Sequence, residues 1–308
     1  MISYSPILDA IEQADVSENE LRRIFHGRGH CFPSLEHINL DFYPPFLFLT
    51  SYQEIETDEL ERLVHQVWNK ASVYADFITG LVYQQRAGRE TSSRVFYGTL
   101  PSPHIVVELG LSYQVDLLTH QNTGIFPDMR NGRSFVVSQS KHKKVLNLFS
   151  YTCGFSLAAM HGGATSVVNM DMNKGVLAQG KVNHKLNGFD ENVRFFPHDI
   201  LKSFGKLKKL GPFELIIIDP PSFQKGSFEL TKDYQKILRR LSDIVSNKAT
   251  LLLCANSPDL TEKKFMELIT EHAGDGFNFE YRLESALGFP EKDQNKNLKA
   301  LVYRYHGL

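Results

Sequence analysis

The stretch Lys144-Val-Leu-Asn-Leu-Phe-Ser-Tyr-Thr-Cys-Gly-Phe-Ser156 decides the fold of this chain. Its first part, Val145 to Phe149, is a short apolar run of the kind that forms a buried parallel strand. Small and polar residues follow up to Gly154, and an apolar helical pattern then continues to Gly162-Gly163. This order predicts a strand, a tight turn and a helix, a unit that presents backbone N–H groups to a ligand.

Three further predicted strands in the same half each lead into an acidic residue. Ser166-Val-Val-Asn-Met is followed by Asp171, a third unit ends in Asp199, and Phe213-Glu-Leu-Ile-Ile-Ile is followed by Asp219. The carboxyl ends of parallel strands meet at one edge of a sheet, so we expect these acids to line one crevice. The pattern therefore predicts an α/β fold with a doubly wound, Rossmann-like sheet.

The remaining segments complete this sheet. Thr250 to Cys254 is predicted as the fifth strand, after a helix from about Tyr234 to Val245. The segments Phe277 to Leu283 and Ala300 to Tyr305 are predicted to close the chain as an antiparallel hairpin. The sheet then has seven strands, with its antiparallel part at the end.

The N-terminal part has a different pattern, and we assign residues 1–120 to a small α+β domain and residues 121–308 to the sheet described above. His37-Ile-Asn-Leu-Asp-Phe alternates as a strand does, and Phe46 to Tyr52 is predicted as the returning strand. Thr57 opens a helix with one apolar face. Phe77 to Tyr83 is predicted as a further strand.

Composition excludes several classes of protein. At 42% hydrophobic and 22% charged residues, the chain is typical of a globular protein, and its net charge of −1 excludes a globally basic nucleic-acid binder. Local basic patches remain open, and Arg22, Arg23, His26, Arg28 and His30 form one candidate for RNA contact. No apolar run is long enough to cross a bilayer, and the N-terminus does not resemble a signal peptide.

Cysteine usage points to a reducing compartment. Cys31, Cys153 and Cys254 are odd in number and far apart, so we expect neither a metal site nor a disulfide framework. We therefore expect a cytoplasmic protein.

The first turn and the acids predict a nucleoside site without a pyrophosphate. The turn after Asn147 lacks the G-x-G-x-x-G pattern by which backbone approaches a pyrophosphate. Asp171 stands where an acid can accept both hydroxyls of a ribose, and Asp199 where an acid can accept from an adenine amino group. Met172 and Ile200 would supply apolar contact to the adenine. Either acid alone could instead be an ordinary helix N-cap, and the turn a plain structural one.

The segment Asp219-Pro-Pro-Ser-Phe223 is the most specific signal in the sequence. Two prolines, Pro220 and Pro221, stop the strand and leave carbonyl groups available toward the crevice. The Asp219 carboxylate can accept a hydrogen bond from a planar amine, and Phe223 can stack on a flipped base. We therefore assign the catalytic role to Asp219, Pro220, Pro221 and Phe223; a turn with an N-cap is the alternative.

These residues resemble class I S-adenosylmethionine-dependent methyltransferases, in particular the bacterial large-subunit ribosomal RNA methyltransferases. The matching motifs are Asn147-Leu-Phe-Ser-Tyr-Thr-x-Gly, Val168-Asn-Met-Asp171, Asn183-x-x-x-Asn187 and Asp219-Pro-Pro-Ser-Phe223. The junction Thr123-Gly-Ile-Phe-Pro-Asp-Met-Arg130 is similar to the segment that precedes the catalytic domain in that family. The resemblance covers the chain from about residue 20 to its end.

The resemblance implies the donor and its site. The cofactor would be S-adenosylmethionine, and Arg130 would reach the carboxylate of its methionine part. The implied cofactor-binding residues are Arg130, Asn147, Phe149, Ser150, Tyr151, Thr152, Asp171, Met172, Asp199, Ile200 and Asp219.

Two departures from the family bear on the substrate. Members that make 5-methylcytosine have an N-terminal RNA-binding domain that this sequence does not contain, and they use a cysteine nucleophile after the fifth strand. An ungapped alignment puts Ala255 at that position and Cys254 one residue earlier, where the side chain faces the other way. Transfer to a base nitrogen needs no such nucleophile, so it is the simpler chemistry for this chain.

We therefore interpret the chain as a methyltransferase acting on RNA, most simply ribosomal RNA, with residues 1–120 available for substrate recognition. No membrane partner is expected, and a homodimer is left open. The alternatives are 5-methylcytosine formation through Cys254, methylation of a protein or small molecule, a nicotinamide oxidoreductase, and a non-catalytic RNA-binding protein.

Overall fold

The computed structural model describes residues 2–14, 19–88, 91–224 and 228–307, and only the backbone of residues 223 and 224. The chain forms two compact units, which are Met1–Asp128 with Ala286–Asp293, and Met129–Ser285 with Gln294–Leu308. The division of function between residues 1–120 and 121–308 stays a prediction.

The first unit is a five-stranded sheet with two helices and a separate hairpin. Its sheet runs in chain order through β1 (Arg22–His26), β2 (Ile38–Tyr43), β3 (Phe46–Ser51), β4 (Gly80–Gln85) and β5 (Ser92–Tyr97). Its helices are α1 (Ser5–Gln13) and α2 (Thr57–Tyr74), and its hairpin is β6 (His104–Glu108) with β7 (Leu111–Val115). Strands β3 and β4 are parallel because α2 connects them as a crossover, and the other described pairs are antiparallel.

The second unit is an α/β domain around a seven-stranded sheet. The strands are β8 (Lys144–Leu148), β9 (Ser166–Asp171), β10 (Val193–Pro197), β11 (Phe213–Ile218), β14 (Val245–Ala255), β15 (Phe277–Arg282) and β16 (Lys299–Tyr305), with the short pair β12 (Phe223–Gln224) and β13 (Phe228–Glu229) between β11 and β14. The helices are α3 (Arg130–Gln139), α4 (Gly154–His161), α5 (Lys174–Leu186), α6 (Phe204–Leu210), α7 (Leu230–Leu238) and α8 (Glu262–Ala273).

The order of the strands places a reversal at the centre of the sheet. The order is β10-β9-β8-β11-β14-β16-β15, with β16 antiparallel to both of its neighbours. The predicted Rossmann-like sheet of seven strands with an antiparallel end is therefore confirmed. Between β8 and β11 the chain changes the direction in which it adds strands, and such a switch point is where open α/β sheets bind ligands.

Helices cover both faces of this sheet, which is why its central strands are apolar without alternation. Leu146, Leu148 and Ile216 face a core shared with α6, α7 and α8. Val145 and Leu215 face the opposite core, shared with α3 and α4. All five side chains are fully buried, as expected for parallel strands between two helical layers.

One predicted helix was too long. The helix predicted from Tyr234 to Val245 ends at Leu238, and β14 already begins at Val245 rather than at Thr250. The first part of β14 is irregular, because its pairing with β11 shifts between Val245 and Thr250, and Lys248 has a φ of 64°. The sequence pattern detected only the regular part of the strand.

Of the helices in the described ranges, none combines the length and apolar character needed to cross a membrane. Over the same residues, no three His, Cys, Asp or Glu side chains are grouped to hold a metal ion.

Candidate functional site

The strands flanking the switch point end in one row. Leu148 at the end of β8 pairs with Met170 on one side and with Ile218 on the other. The next residues along the three chains, Phe149, Asp171 and Asp219, therefore follow side by side at one edge of the sheet. The structure thus brings together the first turn, Asp171 and the Asp-Pro-Pro segment, as the sequence predicted.

The turn after β8 has an unusual backbone. Phe149, Tyr151 and Cys153 have φ angles of 56°, 48° and 67°, in the left-handed region that favours glycine. Each such residue costs about 1–2 kcal/mol, so three in one five-residue turn persist only if the surroundings hold them. Backbone strain of this kind clusters at functional sites.

Asp171 holds this turn. The backbone N–H of Tyr151 donates to Asp171 Oδ2 at 3.0 Å, and that of Asn173 donates to Oδ1 at 2.9 Å. Burial raises the pKa of Asp171, and the two amide donors oppose that rise. Each carboxylate oxygen can accept a second hydrogen bond, so both retain capacity for a ligand hydroxyl.

Neither Asp171 nor Asp199 is a helix N-cap, which removes the simplest structural explanation for them. The cap of α5 is Asn173, whose Oδ1 accepts from the backbone of Gly175 and Val176. The cap of α6 is Ser203, four residues beyond Asp199.

Asp199 lies at the same edge, one strand further out. Pro197 at the end of β10 pairs with Asp171, and Asp199 follows two residues later. Its Oδ1 accepts from the backbone N–H of Leu201 at 2.9 Å, and its Oδ2 lies 3.4 Å from the ammonium of the exposed Lys202.

The two apolar residues predicted to contact an adenine differ in exposure. Met172 is 41% exposed and offers an apolar surface beside Asp171. Ile200 is 5% exposed and packs into the core shared with α6, so its side chain offers little surface to a ligand.

A buried series of hydrogen bonds connects His184 to Asn147. The position of the proton on His184 fixes which atom donates in each of these bonds. His184 Nδ1 lies 2.8 Å from the carbonyl of Gly180, so Nδ1 must carry the proton. Burial lowers the pKa of His184, so its Nε2 is the acceptor from the Ser156 hydroxyl at 2.9 Å. Ser156 in turn accepts from Asn169 Nδ2 at 2.9 Å, and Asn169 Oδ1 accepts from Asn147 Nδ2 at 2.9 Å.

One acceptor atom, Asn147 Oδ1, is not used in this series of hydrogen bonds. Asn147 is 1% exposed, and among the described residues its Oδ1 has no hydrogen-bond partner. A buried, unpaired amide oxygen costs about 1–3 kcal/mol, so it indicates a donor supplied by a ligand.

The turn is also held from α5. The side chain of Asn183 is fully buried and donates to the carbonyl of Thr152 at 3.2 Å. A Cβ on Gly180 would lie 2.5 Å from Cys153 Sγ, so this glycine makes room for the cysteine. Burial raises the pKa of the Cys153 thiol, which is therefore part of the packing under the turn.

Ser150 and Arg130 complete the surroundings of the turn. Ser150 is buried, and its backbone N–H donates to the carbonyl of Met170 at 3.3 Å. Arg130 is the half-buried first residue of α3. A Cβ on Gly132, two residues later, would lie 3.2 Å from the ring of Phe155 at the start of α4. The first turns of α3 and α4 are therefore in close contact.

The Asp-Pro-Pro segment continues into a short hairpin. Asp219 is half-buried, Pro220 is buried and Pro221 is exposed. The Ser222 hydroxyl donates to the carbonyl of Asn256, and the Ser222 carbonyl accepts from the backbone N–H of Leu230 at 3.1 Å. The side chain of Phe223 lies outside the described part of the chain, so its predicted stacking role is not addressed by the structure.

Aromatic packing links this hairpin to the first turn. The rings of Phe149 and Phe228 meet edge to face, with their centroids 4.7 Å apart. Phe149 is thus a packing residue as well as a candidate for ligand contact.

Two residues near this edge were missed by the sequence analysis. Tyr234 is fully buried on α7, and its hydroxyl donates to the carbonyl of Ile218, directly before Asp219, at 3.4 Å. Lys299 is fully buried at the start of β16, and its ammonium donates to the carbonyl of Ser257 at 2.7 Å. The only sequence signal for this lysine is its place directly before the apolar strand predicted from Ala300.

Cys254 is a core thiol. Its side chain is fully buried in the core shared with α3 and α4, whereas its neighbour Ala255 belongs to the opposite core. A nucleophile must reach the substrate, and this thiol does not reach a surface.

A family model described as S-adenosylmethionine-dependent methyltransferase matches residues 22–304. Among curated proteins, the ribosomal RNA large subunit methyltransferase I of Aeromonas salmonicida is 28% identical over 77% of this chain and 62% of its own length. The protein of the same name from Vibrio cholerae is 28% identical over 91% of this chain and 75% of its own length. This chain therefore spans less than two thirds of the Aeromonas relative.

Solved structures agree on the fold. A crystal structure of a protein described as a methyltransferase, complexed with S-adenosylhomocysteine, aligns over 99% of this chain and 83% of its own, with a TM-score of 0.83 and 24% identity. The tRNA m1G37 methyltransferase of Methanocaldococcus jannaschii aligns over 89% of this chain and 78% of its own, with a TM-score of 0.61 and 14% identity.

Proposed function

Because the chain belongs to the family of S-adenosylmethionine-dependent methyltransferases, we propose that it transfers a methyl group to a base nitrogen of ribosomal RNA. The observation that carries the proposal is the row of strand ends that places Phe149, Asp171 and Asp219 side by side. The relatives named for ribosomal RNA support the substrate class.

The residues at this edge fit the family's cofactor, S-adenosylmethionine. Asn147 Oδ1 is a buried acceptor that suits the ammonium of the methionine part. The Asp171 carboxylate suits the ribose hydroxyls, and Asp199 the adenine amino group. The guanidinium of Arg130 suits the methionine carboxylate. When bound, the cofactor supplies a methyl group carried on a positively charged sulfur.

Asp219 is the residue that we assign to the acceptor base. Its carboxylate accepts a hydrogen bond from an amino group of the base and so orients the nitrogen lone pair toward the donor side of the crevice. We assign to the same carboxylate the uptake of the proton that the nitrogen loses. Pro220 and Pro221 fix the backbone beside it, which keeps the orientation constant.

Nitrogen is the favoured acceptor because the alternative lacks its nucleophile. Carbon 5 of cytosine must be activated by covalent attack, and Cys254 is fully buried away from the crevice. None of the proposed catalytic residues is a cysteine that could act as the nucleophile instead. The 5-methylcytosine alternative is therefore not supported.

The first unit offers a candidate surface for RNA that shares only Arg28 with the patch predicted from sequence. Arg23 forms a buried ion pair with Asp41 at 2.6 Å, and burial together with Arg23 lowers the pKa of His26 to about 3. Neither is therefore a free cation for phosphate. Arg28 instead lies over the ring of Tyr52, with its guanidinium carbon 4.2 Å from the ring centroid.

Arg86 approaches the same ring, with its guanidinium carbon 5.6 Å from the centroid. Arginine beside an aromatic ring is a common element of single-stranded RNA sites, where it contacts phosphates and stacks on bases. We therefore assign RNA contact in this unit to Arg28, Tyr52 and Arg86.

Two further assignments belong to the same proposal. A ribosomal RNA substrate would place the protein in the cytoplasm, where ribosomes are assembled. Assembly as a homodimer stays a prediction.

The proposal is tested by methyl transfer from S-adenosylmethionine with a labelled methyl group. Purified protein is incubated with ribosomal RNA from a strain that lacks it, as free RNA and as ribosomal subunits, and the modified nucleotide is identified by mass spectrometry. We expect one methylated base that is absent from the deletion strain. Label only in protein or small molecules, or none at all, would contradict the proposal.

A further inference from the structure

The loop after β14 is fixed at two consecutive carbonyl groups. The Ser222 hydroxyl, from the Asp-Pro-Pro segment, donates to the carbonyl of Asn256. The Lys299 ammonium donates to the carbonyl of Ser257 at 2.7 Å. Three separate segments of the chain thus meet at this loop and set the course of its backbone.

Burying the side chain of Lys299 costs desolvation free energy. Its side chain is fully buried, and removing an ammonium from water costs several kcal/mol that its interactions must offset. Lysine is almost never fully buried unless it has partners. An apolar residue would pack at the start of β16 without that cost, so this lysine is explained by the groups that it binds, and the Ser257 carbonyl is one of them.

The loop lies at the same edge of the sheet as Asp219. Ile218 pairs with Leu253, and continuing the parallel register by three residues places Asn256 beside Pro221. The hydrogen bond from Ser222 agrees with that register. Lys299 pairs with Ala255 at the N-terminal end of the antiparallel strand β16, which is the same edge.

Asn256 is exposed, whereas its backbone carbonyl and that of Ser257 are held by these two hydrogen bonds. Its carboxamide offers a donor and an acceptor side by side. Amides of this kind read base edges that carry an amino group next to a ring nitrogen.

We propose that Asn256 selects the acceptor base by hydrogen bonding to such an edge, and that Lys299 and Ser222 act as positioning residues for it. The inference rests on the proposed function and adds the residue that recognises the substrate. Asp219 orients the reacting nitrogen, and Asn256 contacts a second group of the same base from the neighbouring strand end.

A merely structural role for the loop makes a different prediction. In that case, truncating Asn256 would leave catalysis unchanged, because its side chain is exposed and its backbone would keep both anchors. Substituting Lys299 would then lower thermal stability and cofactor affinity together.

The test compares Asn256→Ala with Asp259→Ala, an exposed side chain three residues further along the same loop. Steady-state methylation of ribosomal RNA gives kcat and KM, and calorimetry gives the affinity for S-adenosylhomocysteine. We expect Asn256→Ala to lower kcat/KM for RNA about tenfold or more, as the loss of a bidentate contact to a base predicts, with cofactor affinity within about twofold. Asp259→Ala should match the wild type.

Ser222→Ala and Ser222→Thr test the positioning role. The threonine retains the hydroxyl, so it should recover activity that the alanine loses, with the loss again in kcat/KM for RNA. Lys299→Met should act in the same direction, and the Ser222 pair keeps the test decisive if that variant does not fold.

The outcomes separate the two proposals. If the wild type methylates RNA and Asn256→Ala is equally active, the inference is wrong and the proposed function stands. If Asn256→Ala loses cofactor affinity as much as activity, the inference is also wrong. If the wild type methylates no RNA, the proposed function fails and takes the inference with it.

Discussion

The backbone N–H of Tyr151 donates to the carboxylate of Asp171 at 3.0 Å, which ties the turn after β8 to the end of β9. Hydrogen bonds to a charged acceptor contribute about 1.5–3 kcal/mol, comparable to the cost of the left-handed backbone at Tyr151. The Asp171 carboxylate therefore offsets the strain of this turn. Asp171 both shapes the site and offers its remaining lone pairs to the ligand.

Replacing Asp219 with alanine should separate catalysis from cofactor binding. The backbone around it is fixed by Pro220 and Pro221, so the fold should tolerate the change. We expect affinity for S-adenosylhomocysteine to fall less than about tenfold, whereas kcat should fall about 10²-fold or more through loss of base orientation and proton transfer. Calorimetry and single-turnover methylation measure the two effects. Turnover within a few-fold of the wild type would show that this side chain has another role.

Gly180 and Cys153 should be energetically coupled. A Cβ on Gly180 would lie 2.5 Å from Cys153 Sγ, so Gly180→Ala should destabilise the protein by about 1–3 kcal/mol. Cys153→Gly removes the obstructing side chain and suits the φ of 67° at that position. The double variant should therefore be at least about 1 kcal/mol more stable than the sum of the single changes, as measured by urea unfolding.

Gly205→Ala is the matched control for this cycle. It also lies in a helix, α6, but among the described residues no atom outside the adjoining helix backbone lies within 4 Å of the Cβ it would add. Alanine there should stabilise the protein by up to about 1 kcal/mol through helix propensity alone. Additive energies for Gly180 and Cys153 would show that the turn adjusts without strain.

His184 should make stability depend on pH. Burial lowers its pKa in the folded protein, and the hydrogen-bond chain to Asn147 requires the neutral ring. The unfolded chain binds the proton more readily, with a pKa of about 6.5, so this contribution is fully present above that pH and is lost as pH falls below it. The free energy of unfolding should therefore decrease between about pH 7 and pH 5.

The variant His184→Gln isolates this contribution, because glutamine can donate to Gly180 and accept from Ser156 without titrating. Its unfolding free energy should depend less on pH than that of the wild type over the same range. His26, whose pKa is also lowered, contributes equally to both proteins. Parallel pH profiles would exclude His184 as the source.

Arg28 and Arg86 should contribute to RNA affinity by binding phosphates. Replacing both by alanine should weaken binding to ribosomal RNA about tenfold at moderate salt and reduce the slope of log K against log salt by roughly 0.7 for each phosphate that is no longer neutralised. Filter binding at several salt concentrations measures both quantities. Lys70→Ala, a cation on α2 paired with Glu12, serves as control and should leave the slope unchanged. An unchanged slope in the double variant would place the RNA-binding surface elsewhere.

The acids at the strand ends could be predicted from the sequence. Buried parallel strands are recognisable as apolar runs, and the polar residues that follow them must lie at one edge of the sheet. That logic located Asp171, Asp199 and Asp219 without any contact information. It could not show that Asn173 rather than Asp171 caps α5, because both residue types are favoured at N-caps.

Other features depend on packing between distant segments, which no local pattern contains. Lys299 and Ser257 are 42 residues apart in sequence, and their hydrogen bond exists only because β16 returns beside β14. The predicted basic patch of Arg22, Arg23, His26, Arg28 and His30 stays a prediction, but packing changes which of its side chains can serve as cations. Arg23 pairs with Asp41, and burial lowers the pKa of His26. Arg28, in contrast, contacts the ring of Tyr52, which follows β3.

Calorimetric titration with S-adenosylhomocysteine, applied to the wild type and to Asp171→Ala, tests the central claim most directly. We expect micromolar binding by the wild type and at least about tenfold weaker binding by the variant, since two backbone amides and the ribose hydroxyls lose one acceptor group. Circular dichroism serves to confirm that the variant is folded. No binding by the wild type, or equal affinity in both proteins, would contradict a cofactor site at these strand ends.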